Sequence, residues 1–257
     1  MNPYLAAFVS GMRRTVAPGE LIVRVGFYAV ILVVFAAVWN AAMAANGGEV
    51  AGYGFAGILW YIAAAEAAQV ATNARMIEDI GNDIGNGTVA IELLRPVSVV
   101  GLRLASEVGG AVVRLAGTCA LAALFVPLAA GPPPSWNGVG LAIPSLVLAV
   151  CCNLAAQHAF AGIAFWLEDA KSAWFLYQKL IFLLGGMLLP LELLPDAMSG
   201  AARLLPFWAM SYAPGRLMAG YVEPWLLLLQ VGWLVAMVGA AVAVFSSGER
   251  RLQAVGG

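Results

Sequence analysis

The sequence predicts an all-α integral membrane protein with six transmembrane helices, and three observations predict it. Of 257 residues, 62% are hydrophobic and only 11% are charged, against about 25% charged in soluble domains. The apolar residues gather into six stretches that approach the roughly 20 helical residues needed to cross a hydrocarbon core of about 30 Å. The basic residues collect at alternate connections, which orients such a bundle by the positive-inside rule.

Residues 1–20 read as a separate N-terminal segment. They lack a compact apolar core followed by a small-residue cleavage site, so no signal peptide is expected. Tyr4, Leu5, Phe8 and Met12 recur at three- and four-residue spacing before Arg13 and Arg14, the pattern of a short amphipathic helix in the membrane interface. The two arginines suit anionic headgroups, at about 1 kcal/mol for each basic residue.

Residues 21–257 then form the transmembrane domain. The first span, 21–45, is uncharged after Arg24, and the second, 53–72, is interrupted by Glu66. The third, 102–129, carries Glu107 and Arg114, while the fourth, 139–167, contains Pro144 and is expected to tilt or bend. The fifth, 173–191, holds Lys179 near its start, and the sixth, 225–247, has no charge. Arg13, Arg14 and Arg24 flank the first span; Arg75, Arg95 and Arg103 lie between the second and third; Lys171 and Lys179 lie around the fourth-to-fifth turn; Arg250 and Arg251 follow the sixth. Both termini are therefore expected in the cytoplasm, with the chain in the inner (plasma) membrane.

Several function classes fall away. A net charge of -1 gives no reason to expect nucleic acid as a partner. Cys119, Cys151 and Cys152 sit inside apolar runs as small hydrophobes, without metal or disulfide spacing. His158 lies near Asn153 and Gln157 but has no acid or thiol at a diagnostic distance along the chain, so a packed core histidine is expected and no catalytic residue is assigned. Trp60, Trp166, Trp174, Trp208 and Trp225 fit interface anchors. Gly109, Gly110, Gly185, Gly186, Gly232 and Gly239 fit close helix approach, and the alanine-rich first two spans fit tight packing.

Charge inside the membrane is costly unless paired. Glu66, Glu107 and Arg114 are thus candidates for polar or gate residues, with a structural Glu66–Arg114 or Glu107–Arg114 pair preferred over substrate contact. Two connections also carry pattern. Met76, Ile77, Ile80 and Ile84 form an apolar stripe among Glu78, Asp79, Asn82 and Asp83, which reads as an amphipathic element, broken by Gly81, Gly85 and Gly87. On the other side, residues 190–220 are too broken by Pro190, Pro195, Pro206 and Pro214 to span and too apolar for a free loop. A compact, partly buried cap that dips into the outer leaflet is expected.

The stretch Ile77-Glu78-Asp79-Ile80-Gly81-Asn82-Asp83-Ile84-Gly85-Asn86-Gly87, continuing through Leu93-Leu94-Arg95-Pro96-Val97-Ser98, resembles the first cytoplasmic loop of ABC-2-type permeases. Their small six-helix bacterial export subfamily is the nearest likeness. Residues 182–195, ending Leu188-Leu189-Pro190-Leu191-Glu192-Leu193-Leu194-Pro195, with Leu205-Pro206-Phe207 downstream, resemble that superfamily's signature around the fifth helix and its external re-entrant hairpin. With helix order and length, the likeness covers nearly the whole chain.

The resemblance implies an exporter half: six helices, a second permease as homodimer or related heterodimer, and two ABC-type ATPase subunits that carry ATP and Mg. The chain has no Gly-rich phosphate loop ending in Gly-Lys-Ser/Thr, so it is expected to bind no cofactor and to be no enzyme. The coupling helix implied for residues 76–92 would use Ile77, Glu78, Asp79, Ile80, Asp83, Ile84 and Glu92, with Arg95 able to cap it. The re-entrant region would comprise Pro190, Glu192, Pro195, Pro206 and Phe207. The substrate is unidentified, with an amphipathic or hydrophobic compound as the expectation, moved by alternating access between two permeases. The alternatives are a secondary transporter or a non-transport membrane scaffold. A carrier usually shows an internal repeat and paired broken helices, and neither is evident.

Overall fold

The computed structural model describes residues 2–16, 18–92, 96–167 and 170–255. The helices in chain order are α1 (Pro3–Thr15), α2 (Pro18–Ala45), α3 (Phe55–Val70), α4 (Met76–Gly85), α5 (Thr88–Glu92), α6 (Val99–Ala130), α7 (Trp136–Gly162), α8 (Ala170–Leu184), α9 (Asp196–Arg203), α10 (Tyr212–Met218) and α11 (Trp225–Val255). A two-residue antiparallel hairpin, β1 (Glu49–Val50) with β2 (Tyr53–Gly54), joins α2 to α3.

Among the described residues, four helical segments are long and apolar enough to cross a membrane: Gly19–Ala45, Val99–Ala130, Trp136–Phe165 and Trp225–Arg251. They match the first, third, fourth and sixth predicted spans. The second and fifth are shorter than expected. Helix α3 has 16 residues and α8 has 15, about 24 Å and 22 Å of rise. Helix α8 stops at Leu184, not at residue 191, for a local reason. Gly186 takes a left-handed φ of +69°, the Tyr61 hydroxyl donates to its carbonyl, and Tyr212 N–H donates to the Gly185 carbonyl at 3.0 Å. Lys179 consequently sits mid-helix, its ammonium 5.0 Å from the Phe175 ring centroid.

Helix α3 forms the centre of the bundle: residues from Gly57 through Ala68 are buried between α2, α6, α7 and α10. Its run of alanines allows that. The comparable expectation for α2 fails, because α2 leaves Ile22, Val23, Phe27, Val30, Val33, Val34 and Val38 more than half exposed. Helix α7 runs continuously through Pro144 and packs on α11, α10 and α4.

The amphipathic helix α1 packs along α6. Its spacing is set by glycine: a Cβ on Gly11 would lie 1.9 Å from the Ser106 carbonyl oxygen, and one on Gly109 would lie 2.0 Å from that of Phe8. Gly232 and Gly239 have open space around them, so they bring no helices together among the described residues. Trp60 and Trp208 are buried rather than interfacial, and Trp60 Nε1 donates to the Gly131 carbonyl at 3.2 Å.

Candidate functional site

The predicted amphipathic connection is two helices, α4 and α5, separated at Gly87: the expected break falls there, and not at Gly81. Glu78 and Asp79 occupy the first turn of α4, where acids suit the positive end of the helix dipole. Met76, Ile77, Ile80 and Ile84 are buried against α7, α8 and the 3-10 turn Ile163–Phe165. Gly81 does not interrupt the helix, because its missing side chain is occupied by a neighbour: a Cβ there would come within 2.3 Å of the Ala170 Cβ. The chain turns only at Gly87, where φ is +79°.

The four acids of this region separate into two pairs. Arg103 of α6 reaches Asp83 at 2.8 Å and Glu92 at 2.8 Å, and so ties α4 and α5 to the start of α6. Glu78 and Asp79 are not held in ion pairs among the described residues, and Asp79 is exposed. In α5, Ile91 is 68% exposed. Asp79, Asn82, Asn86, Thr88 and Ile91 are exposed and Glu78 is half-buried, whereas Asp83 and Glu92 are tied to Arg103. Arg95 lies outside the described residues.

Arg114 illustrates how the membrane charges are satisfied. Its Nη2 lies 3.5 Å from Glu107, its Nη1 3.9 Å from Glu20, and its Nε donates to the Ala71 carbonyl at 2.6 Å. Of the two pairings anticipated, Glu107–Arg114 forms. Glu66 stands elsewhere, on the α3 face that borders a cleft between α2 and α8. That cleft, about 550 Å³ in volume, has apolar walls and a polar back.

The back is a buried hydrogen-bonded chain. Gln69 Nε2 donates to Ser211 Oγ at 2.7 Å and to the Met210 carbonyl at 3.0 Å. Asn153 Nδ2 donates to Gln69 Oε1 at 2.8 Å, Gln157 Nε2 donates to Asn153 Oδ1 at 2.9 Å, and the Tyr177 hydroxyl donates to the same oxygen. Four separate elements meet in this chain. Sequence reading singled out Asn153 and Gln157 only as neighbours of His158 and overlooked Gln69 and Tyr177. Polar residues in otherwise apolar helices were the available signal, but spacing cannot show which helices face one another.

His158 is fully buried and its Nδ1 lies 2.9 Å from the Leu154 carbonyl; it is a core residue, as expected. Cys152 is buried too, with Sγ 3.4 Å from the Gln230 carbonyl. Among the described residues, no cluster of three or more histidines, cysteines and acids could hold a metal.

At the other end of the bundle, residues 190–220 fold as short pieces: a 3-10 turn Leu191–Leu193, α9, a second 3-10 segment Pro206–Met210, and α10. Pro190 and Pro195 each precede a helical start, Pro206 begins one, and Pro214 lies in the first turn of α10, where proline is tolerated. Phe207 is buried, and α10 packs on α3 and α7. Glu192 receives the Tyr212 hydroxyl at 2.5 Å and the Arg216 guanidinium at 3.3 Å. Arg216 also reaches Glu223 at 3.2 Å, donates to the Tyr53 hydroxyl at 2.8 Å, and stacks 3.4 Å from the Tyr221 ring centroid. This arginine fastens the β hairpin to the cap. Burial pushes the Tyr53 hydroxyl above its usual range, despite its bond to Arg216, so Tyr53 stays neutral in the network.

No curated protein matches the chain. A family model described as "ABC-2 family transporter protein" matches residues 25–256, from the second turn of α2 to the end of α11. The match takes in α2 from residue 25, the later transmembrane stretches, α4, the cap and all of the cleft except Val23 and Arg24, leaving out α1. The chain belongs to the ABC-2 transporter family, as a multi-pass membrane permease component of an ABC transporter.

Proposed function

We propose that the protein is the permease subunit of an ATP-driven exporter in the inner membrane, with six spans and both termini in the cytoplasm. Helices α3 and α8 serve as the short second and fifth spans, completed at their ends by irregular backbone that lies against protein. Residues 1–20 form an interface segment, and 190–220 a re-entrant cap over the outer end of the pathway. Two permeases, identical or related, face each other across the α2–α8 cleft, and two ATPase subunits dock on α4 and α5. The ATP and Mg belong to those partners.

The observation that carries this reading is α4 itself: a short helix anchored by four apolar side chains, with Asp79 exposed, Glu78 half-buried, and neither held in an ion pair among the described residues. Such an element transmits force between a soluble partner and the spans. Co-expression with a candidate ABC-type ATPase and purification through a tag on the permease tests the reading. Recovery of the ATPase with wild-type permease, and its loss when Glu78 and Asp79 are both changed to lysine, is expected. Failure of any ATPase to associate, with transport intact, would remove it.

A further inference from the structure

The cleft between α2 and α8 has two properties that together specify a ligand. Its walls are apolar and aromatic, built from Phe27 and Ile31 of α2 with Ile181 and Phe182 of α8, and about 550 Å³ is the volume of a drug-sized molecule. On its inner wall stands Glu66, 4% exposed, with no hydrogen-bond or ion-pair partner among the described residues. The other charged residue along the cleft, Arg24, is already engaged: its Nε lies 3.0 Å from Glu20 and its Nη1 donates to the Thr72 carbonyl at 3.2 Å. The amides at the back of the cleft are likewise bonded to one another.

A buried carboxylate among apolar side chains keeps its charge only where a counter-charge accompanies it, and otherwise takes up a proton. The described residues supply no counter-charge. A ligand with a diffuse positive charge and an apolar body satisfies both features, since the charge meets Glu66 and the faces of the aromatic side chains while the body covers the walls. An anion of the same shape would place like charges together, and a neutral molecule would leave the carboxylate uncompensated.

We propose that the α2–α8 cleft binds lipophilic monocations, amphipathic amines or onium ions, with Glu66 as the counter-charge. This deepens the permease reading and rests on it for the fate of the ligand, though not for its binding. The test uses the permease with its ATPase in nanodiscs of zwitterionic lipid and measures binding of radiolabelled tetraphenylphosphonium, with its isosteric anion tetraphenylborate as the control. Wild type should bind the cation in saturable fashion and the anion only as lipid-adsorbed background. Glu66→Gln should weaken cation binding about 30-fold or more, and Glu66→Asp should retain most of it. Saturable binding of both ions by wild type would overturn the proposal without recourse to any variant, as would equal cation affinity in wild type and a monodisperse Glu66→Gln. Either result with the ATPase still associated removes the cation site and leaves the permease reading intact. Glu66-dependent binding by a permease that transports the cation with no ATPase associated keeps the site and removes the ATP-driven reading.

Discussion

Asn153 bonds to three elements at once: to Gln69 and Thr72 around the end of α3, to Gln157 one turn along α7, and to Tyr177 of α8. Replacing it with leucine strands several buried polar groups, each costing about 1–3 kcal/mol when unsatisfied, although partners inside a membrane re-pair and reduce such losses. Asn153→Leu should therefore lower the melting temperature in detergent, while Asn153→Gln should lose less if the longer amide still reaches Gln69. A second residue-scale expectation concerns Gly81. A methyl group there meets Ala170 at 2.3 Å, and overpacking of this kind costs about 1–3 kcal/mol. Gly81→Ala should loosen α4, seen as faster hydrogen exchange of its amides with those of α6 unchanged. The sequence marked Gly81 as a helix breaker because helix propensity is local. Its packing role depends on Ala170, a residue that no spacing rule connects to it.

Helix α4 is the element whose expected behaviour the structure refines most. Ile80 and Ile84 are buried, and removing a buried apolar anchor costs about 2–5 kcal/mol, whereas an exposed ion pair contributes roughly 0–1 kcal/mol. Ile80→Ala or Ile84→Ala should thus reduce the yield of folded permease more than any single change at Glu78 or Asp79. The acids themselves divide. Reversing Glu78 and Asp79 to lysine should leave the melting temperature nearly unchanged and abolish substrate-stimulated ATP hydrolysis. Asp83→Lys should instead lower the melting temperature, because it confronts Arg103 and frees α4 from α6. Melting curves of the purified permease, alongside ATP hydrolysis after mixing it with its ATPase, distinguish the two outcomes. The stripe of isoleucines was legible at helical spacing, but Arg103 lies 20 residues beyond Asp83, and only the fold brings it there.

At the scale of the molecule, the bundle leaves the α2 side of its cleft open, with α2 packed on α3 and α6 and, among the described residues, joined to α8 by no substantial contact. We expect a second permease to complete the pathway there, giving two permeases and two ATPases in native mass spectra of the intact complex. A transport-competent assembly with a single permease would refute this. Composition, the six apolar stretches and the alternating basic residues by themselves determined that the chain is a helical membrane protein and where most of its long helices begin, and the motifs at 77–98 and 182–207 pointed to its family. Those properties depend on local hydrophobicity and short motifs. The tertiary structure alone decided that α8 ends at Leu184, that Arg114 takes Glu107 while Glu66 is left facing a cleft, that Asp83 and Glu92 are bound inward, and that Arg216 ties the hairpin to the cap. Each of these is a contact between residues far apart in the chain, and apolar helices of nearly uniform hydrophobicity carry little record of which faces meet.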